Sequence, residues 1–116
     1  MEVRLAYFSY PYSDDPEKRT DEAVWLATKI FEKYRLFPIV PHAAVDVFQG
    51  RVPVVDILRA EHVLIQRSDV FIIGSKEKSQ GMMWELAYAR ELGKPVYRVV
   101  EEKGEYWLEA VDPHED

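Results

Sequence analysis

Two glutamates occupy positions on predicted helices where a charged side chain is unexpected. On a projection of about 100° per residue, the segment SQGMMWELAYARELGK places its apolar residues on one narrow arc. That arc contains Met82, Leu86, Ala89 and Gly93. Glu85 lies about 60° from Met82 on the same projection, at the edge of the apolar stripe. In the preceding predicted helix, Glu61 falls within an apolar arc formed by Ile57, Leu58, Leu64 and Ile65.

A carboxylate directed toward the interior of a domain requires a partner or a purpose. Burying an unpaired carboxylate costs several kcal/mol or forces it to take up a proton. One explanation is that Glu61 and Glu85 each pair with an Arg or Lys or reach solvent at a helix end. The other is that two neighbouring carboxyl groups in different environments divide their roles, one ionised as a nucleophile or base and one protonated as a donor.

The residues before Glu85 are suited to binding a ligand. Ser79 is a plausible N-cap, and Gly81 in the first turn lets a ligand approach backbone N–H groups at the positive end of the helix dipole. The pattern predicts a cradle for an anion or a sugar hydroxyl, although capping alone explains the serine.

Strands and helices alternate along the chain. The patterns predict strands at 3–8, 37–40, 69–75 and 96–100, with a possible fifth at 106–111, and helices at 16–35, 54–68 and 79–95. The segment 42–53 has no clean period and is predicted to be a long loop with a possible helical turn. Alternation of this kind predicts an α/β domain with a small, open, doubly wound parallel sheet of flavodoxin-like type, flanked by helices.

In such sheets, ligands bind beyond the carboxyl ends of the strands, at the point where the strand order reverses. The loops at 9–16, 41–53 and 74–81 are therefore expected to form the binding site. His42 follows a predicted strand directly and is either a structural hydrogen-bond partner or a binding residue, and Asp46 shares that ambiguity. Several cations near these loops could hold a phosphate or simply be solvated: Lys18, Arg19, Arg51, Lys76 and Lys78.

Composition limits the class of protein. The 116 residues, 47% hydrophobic and 31% charged, are typical of one folded domain covering 1–116. A net charge of -6 argues against binding to nucleic acid polymers or anionic membranes, and the absence of cysteine excludes disulfides and thiolate metal sites. No segment approaches the ~20 apolar residues of a membrane span, and the N-terminus does not read as a signal peptide. We expect a soluble, unprocessed cytoplasmic protein.

With these residues in place, the chain resembles the nucleoside 2-deoxyribosyltransferase superfamily, including its branch of 2′-deoxynucleoside 5′-monophosphate N-hydrolases. The likeness covers roughly residues 3–100. It is carried by the strand VRLAYF with Tyr7, the acidic position Glu61, the strand DVFIIGS, and above all SQGMMWELAYA followed by LGKPV. The resemblance implies an enzyme that cleaves the N-glycosidic bond of a nucleoside or nucleotide without a metal or organic cofactor.

The resemblance also implies roles for individual residues. Glu85 corresponds to the nucleophile that attacks the anomeric carbon, Glu61 to the second acid, and Tyr7 to a residue that orients the sugar or the nucleophile. Transferases of the family commonly carry Asp at the position of Ser79, so the serine favours hydrolysis of a 5′-monophosphate over base transfer. The family usually has Asp at the position of Glu61.

Other features depart from the family or extend it. Where the family often has a glycine after the first strand, this chain has Ser9, Tyr10, Pro11 and Tyr12, and the aromatic rings either stack on a base or fill the pocket. Ser9 and Tyr10 are included among the candidate substrate-binding residues with His42, Ser79 and Gly81.

Trp84 and Tyr88 project away from the buried stripe and predict an interface in a homodimer or larger homo-oligomer. A non-catalytic nucleotide-binding or sensing module on the same fold is the alternative to an enzyme. A flavin-binding or response-regulator domain fits poorly, because the first loop lacks a phosphate cradle and no strand-end acidic cluster is present.

Overall fold

The computed structural model describes residues 3–113, which form one α/β layer structure. Its strands are β1 (Arg4–Ser9), β2 (Leu36–Ile39), β3 (Val70–Ile73), β4 (Val96–Glu102) and β5 (Glu105–Ala110), and its helices are α1 (Pro16–Tyr34), α2 (Pro41–Ala44), α3 (Val54–Arg67) and α4 (Gln80–Glu91). A 3₁₀ turn, Asp46–Phe48, follows α2. Within residues 3–113, no helix has both the length and the apolar character needed to cross a membrane.

The five strands form one sheet in the order β2-β1-β3-β4-β5. Strands β1 to β4 run parallel, whereas β5 returns antiparallel to β4. The predicted α/β domain is thus confirmed, but the sheet is mostly and not wholly parallel as predicted, because β5 is antiparallel. The strand order is consistent with that of flavodoxin-like doubly wound sheets apart from this edge. Strand β2 lies on one side of β1, and the chain then returns to place β3 on its other side. The strand order therefore reverses between β1 and β3, beside their carboxyl ends.

Helices cover both faces of the sheet, and each face has its own core. Helix α1 packs on one face, where the buried residues are Ala6, Phe8, Ala23, Leu26, Ala27, Ile30, Leu36, Val70 and Ile72. Helices α3 and α4 pack on the other, where the buried residues are Tyr7, Ile65, Phe71, Ile73, Met82, Leu86, Ala89 and Val96. Alternate residues of β1 therefore enter different cores, and Tyr7 faces the α3–α4 side.

The start of α4 agrees with the capping signal in the sequence, whereas the helix ends before the predicted residue 95. Ser79 caps the first turn, since its Oγ accepts a hydrogen bond from the Met82 N–H at 3.2 Å. The prediction that Gly93 belongs to the buried stripe is wrong. Helix α4 ends at Glu91, and Gly93 lies exposed beyond it with φ of 73°. A left-handed residue after the last turn is the usual place for glycine.

Gly74 at the end of β3 is required by close packing. A Cβ built there would lie 2.6 Å from Phe8 Cε1 and 3.0 Å from the Ser9 carbonyl oxygen. We expect Gly74→Ala to lower the free energy of unfolding by about 1–3 kcal/mol, measured by urea denaturation, because a buried ring and the backbone of β1 would have to shift.

Gly81→Ala is the matched control, because the nearest atom to its added Cβ is Ser79 Oγ at 4.0 Å. This variant should be at least as stable as the wild type, since alanine is the better helix former by about 1 kcal/mol. Equal destabilisation of both variants would contradict the assignment of the contact at Gly74.

Candidate active site

Glu85 is held by two hydroxyl groups of the central strand β1. Tyr7 donates its phenolic O–H to Glu85 Oε2, and Ser9 donates its Oγ–H to Glu85 Oε1 at 2.8 Å. Tyr7 and Ser9 are two residues apart and point to the same face of the sheet, where α4 begins. Among the described residues, the hydrogen bonds to Glu85 come from hydroxyl and carboxyl groups and not from a Lys or Arg, so the ion-pair explanation for this residue fails.

Glu61 reaches the same position from α3. Its Oε2 lies 3.3 Å from the Tyr7 hydroxyl, and its carboxyl group hydrogen-bonds that of Glu85. Burial, together with the nearby charges of Asp46 and Glu85, raises the pKa of Glu61 to about 9. Glu61 is therefore protonated near neutral pH and can donate a proton.

The hydrogen bonds around this pair favour Glu85 as its ionised member. Burial has the largest effect and raises the pKa of Glu85, whereas hydrogen bonds from Tyr7, Ser9 and Glu61 act in the opposite direction and stabilise the ionised form. Burial and the neighbouring Glu85 keep the pKa of Tyr7 well above its ordinary value, so Tyr7 remains a donor. The two adjacent carboxyl groups are therefore arranged to share a proton, and the raised pKa of Glu61 favours Glu61 as the group that holds it.

Asp46 is a third carboxyl group at the site. It lies in the 3₁₀ turn after α2 and is only 7% exposed. Burial and the charge of Glu85 raise the pKa of Asp46 to about 7. The sequence left its role open, and the available signal was its position shortly after the carboxyl end of a strand.

A cavity of about 240 Å³ lies in front of these carboxyl groups, and all three ligand-end loops contribute to it. Besides Asp46, Glu61 and Glu85, its walls include Tyr10, Tyr12, His42, Ser79, Gly81 and Trp84. Tyr7 and Ser9 lie behind Glu85, both almost completely buried. The structure therefore brings all eight predicted site residues together, with Tyr7 and Ser9 placed to orient Glu85.

The tyrosines of the first loop form walls and leave the cavity open. Tyr10 donates its hydroxyl to Glu22 at 3.1 Å, and its ring stacks against Phe8, so most of this side chain belongs to the core beside α1. Tyr12 packs against the His42 ring at 4.6 Å and donates to the Asp46 carbonyl oxygen at 3.3 Å. Tyr12 was not among the predicted binding residues, but it lines the cavity together with Tyr10.

His42 is 1% exposed and fixed in orientation. Its Nε2 lies 2.8 Å from the Tyr10 carbonyl oxygen, which only an N–H donor can satisfy. Burial lowers the pKa of His42, so the ring is neutral and Nδ1 is an acceptor. Within residues 3–113, Nδ1 has no hydrogen-bond partner. The ring both supports the first loop and offers an acceptor beside the cavity.

The two aromatic residues of α4 differ in environment. Trp84 is 59% exposed at the rim of the cavity, as predicted. Tyr88 is half-buried, contrary to the prediction of an exposed pair: its ring stacks on His62 at 4.1 Å, and its hydroxyl accepts a hydrogen bond from Gln66 at 2.7 Å. Tyr88 is covered because α3 packs directly beside α4, a contact that the helical projection of α4 alone does not contain.

The fold of this chain is shared with a protein of known structure. The structure is similar to that of a 2-desoxiribosyltransferase from Leishmania mexicana, with a TM-score of 0.63 and 21% sequence identity over 82% of this chain. The two chains share a fold. The aligned region spans 63% of the Leishmania chain. No protein-family model and no curated protein sequence matches the chain. The resemblance carried by the sequence is therefore confirmed at the level of the fold.

Proposed function

We propose that this protein cleaves the N-glycosidic bond of a 2′-deoxynucleoside or its 5′-monophosphate, with Glu85 as the nucleophile and water as the final acceptor. The observation that carries the proposal is the environment of Glu85: a buried carboxyl group that two hydroxyls orient, beside the protonated carboxyl group of Glu61. The shared fold with a 2-desoxiribosyltransferase supports the same class of reaction.

In the first step, a carboxylate oxygen of Glu85 forms a bond to C1′ of the sugar as the C1′–N bond breaks. The electron pair of the broken bond leaves with the base, and a proton from Glu61 or Asp46 neutralises it. Tyr7 and Ser9 hold the attacking group in one orientation, which lowers the entropic part of the barrier. The product of this step is a glycosyl ester of Glu85 and a free base.

In the second step, water attacks C1′ and the ester C1′–O bond breaks, returning its electron pair to Glu85. The carboxylate that gave up its proton in the first step now accepts one from the water, which restores the starting state. Two displacements at the same carbon give net retention, as in retaining glycosidases. Glu61 or Asp46 thus serves as acid and then as base.

A panel of 2′-deoxynucleosides and their 5′-monophosphates tests this proposal directly. Incubation with the protein should release free base, detected by chromatography, and exchange between two bases without net hydrolysis would instead identify a transferase. No reaction with any member, combined with measurable binding, would identify a nucleotide-binding module.

We further propose that the substrate site is completed in a homodimer, because Trp84 leaves a large apolar surface exposed at the rim of the cavity.

Ser79 provides a test of whether the 5′-phosphate is recognised. Ser79→Asp keeps a good N-cap for α4 but adds a negative charge beside the exposed N–H groups. We expect cleavage of the monophosphate to fall by about 10- to 100-fold through repulsion, while cleavage of the nucleoside changes little. Ser79→Asn, a neutral residue that also caps, is the control and should retain monophosphate cleavage. Equal losses on both substrates would argue against a phosphate at Ser79.

A further inference from the structure

A second cavity, of about 340 Å³, lies on the α4 side of the sheet beyond the start of α4. Its floor is apolar and includes Ile73, Val100 and Val111, and its rim carries Lys76, Lys78 and Arg98. Arg98 and Val100 alternate on β4 with Tyr97 and Val99, which pack on the α1 face, and so share the face on which Val96 packs against α4. The combination of cations around an apolar floor suits an organic anion with a ring-sized body.

The positive charge of this cavity is distinctive in a chain whose net charge is -6. Arg98 is paired with Glu109 at 3.2 Å. Lys76 and Lys78 are exposed and, within residues 3–113, neither forms an ion pair with a carboxylate. At least two cations of the rim are therefore available to a ligand.

This cavity connects with the candidate active site through the loop that precedes α4. Lys78 also lines a small cleft of about 190 Å³ that it shares with Tyr12, Ser13 and Ser79. The same three residues line the cavity in front of Glu85. Arg19 lies in the cleft, but its guanidinium is occupied by Asp14, Glu22 and Glu77. The cleft thus shares Ser79 with the cavity in front of Glu85 and Lys78 with the cationic cavity, so it lies between the two.

We infer that the substrate is a nucleotide extended beyond its 5′-phosphate, with a second phosphate at Lys76 and Lys78 and a ring-bearing group on the apolar floor. The inference rests on the proposed function, because it places the scissile bond at Glu85 and the first phosphate at Ser79. It alters only what is recognised: the bond cleaved, the nucleophile and the proton transfers remain the same. A volume of 340 Å³ is within the range of cavities that hold ring-sized organic groups.

Binding to the Glu85→Gln variant of the full chain, which holds substrates without turnover, tests the inference by calorimetry. The two probes are 2′-deoxyadenosine 5′-monophosphate and a dinucleotide in which two 2′-deoxyadenosines are joined 5′ to 5′ through a diphosphate. We expect the dinucleotide to bind at least about tenfold more tightly, because it gains charge-assisted contacts and an apolar one. Lys76→Glu should lower the affinity for the dinucleotide by at least about tenfold and the affinity for the monophosphate by a smaller factor, because Lys76 lines the second cavity.

Lys29→Glu, the same charge change on the exposed surface of α1, is the control and should leave both affinities unchanged. Equal binding of the two probes, or a Lys76→Glu effect matched by Lys29→Glu, would overturn the extended substrate and leave the proposed function standing. Failure of both probes to bind would also overturn the extended substrate, whereas the proposed function is judged separately by the release of base from the panel of 2′-deoxynucleosides and monophosphates.

Discussion

Replacing Glu85 with Gln is expected to abolish release of the base while the fold and ligand binding persist. The amide has nearly the same shape and still accepts a hydrogen bond through its oxygen, but it cannot form the glycosyl ester. Loss of a nucleophile of this kind lowers kcat by about 10³-fold or more. Free base is measured by chromatography under single-turnover conditions, and affinity by calorimetry with the same nucleotide.

Glu91→Gln is the matched control for this prediction. Glu91 belongs to the same helix, and its replacement by Gln is the same chemical change. Its side chain is exposed at the C-terminal end of α4, whereas Ser79 caps the N-terminal end. Its kcat should equal that of the wild type. Substantial base release by Glu85→Gln would rule out the covalent route, because no other step of the proposal supplies the attacking atom.

The free energy of unfolding is expected to fall by about 2–4 kcal/mol between about pH 5.5 and pH 9. In the folded protein the pKa of Asp46 is about 7 and that of Glu61 about 9, both above their ordinary values of 3.8 and 4.5. The folded state therefore keeps protons that the unfolded chain releases. Stability from these protons is complete below about pH 4 and is lost as the pH rises toward the folded pKa values, at about 1.4 kcal/mol per unit for each group.

The expected loss is smaller than the sum of the two shifts, because the groups interact and retain some contact with water. Urea denaturation at a series of pH values measures it. The double variant Asp46→Asn, Glu61→Gln should show a much flatter profile over the same range. Burial lowers the pKa of His42, so its contribution increases with pH up to about 6.5, but it is the same in both proteins and cancels in the comparison. An unchanged slope in the double variant would assign the pH dependence to other groups.

The elements that position the site could be predicted from the sequence because they are specified locally. The helical spacing of apolar residues predicts that α1 begins near Pro16, and spacing with the capping residue Ser79 predicts the start of α4. The β-branched run before Gly74 predicts a fully buried strand. Even the inward direction of Glu61 and Glu85 follows from helical spacing alone. The location of the site then follows from the general rule for open α/β sheets.

The contacts that give the site its chemistry depend on tertiary structure and could not be predicted in the same way. Asp46 lies in a segment without period, so nothing local indicates that its carboxyl group is buried near Glu85. Ser9 was expected to contact the substrate, and only the pairing of β1 with β3 shows that it stands behind Glu85. Tyr88 illustrates the same limit, since its partners His62 and Gln66 belong to another helix.

The two hydroxyls that orient Glu85 belong to β1, which is paired on both sides, with β2 and with β3. Interior strands of this kind are normally released only when the whole domain unfolds, whereas helix ends fray at little cost. Glu85 is carried by the first turns of a helix yet fastened to the most persistent strand of the sheet. The arrangement around Glu85 is therefore expected to persist until β1 itself is released, so that loss of the site on heating should coincide with loss of structure.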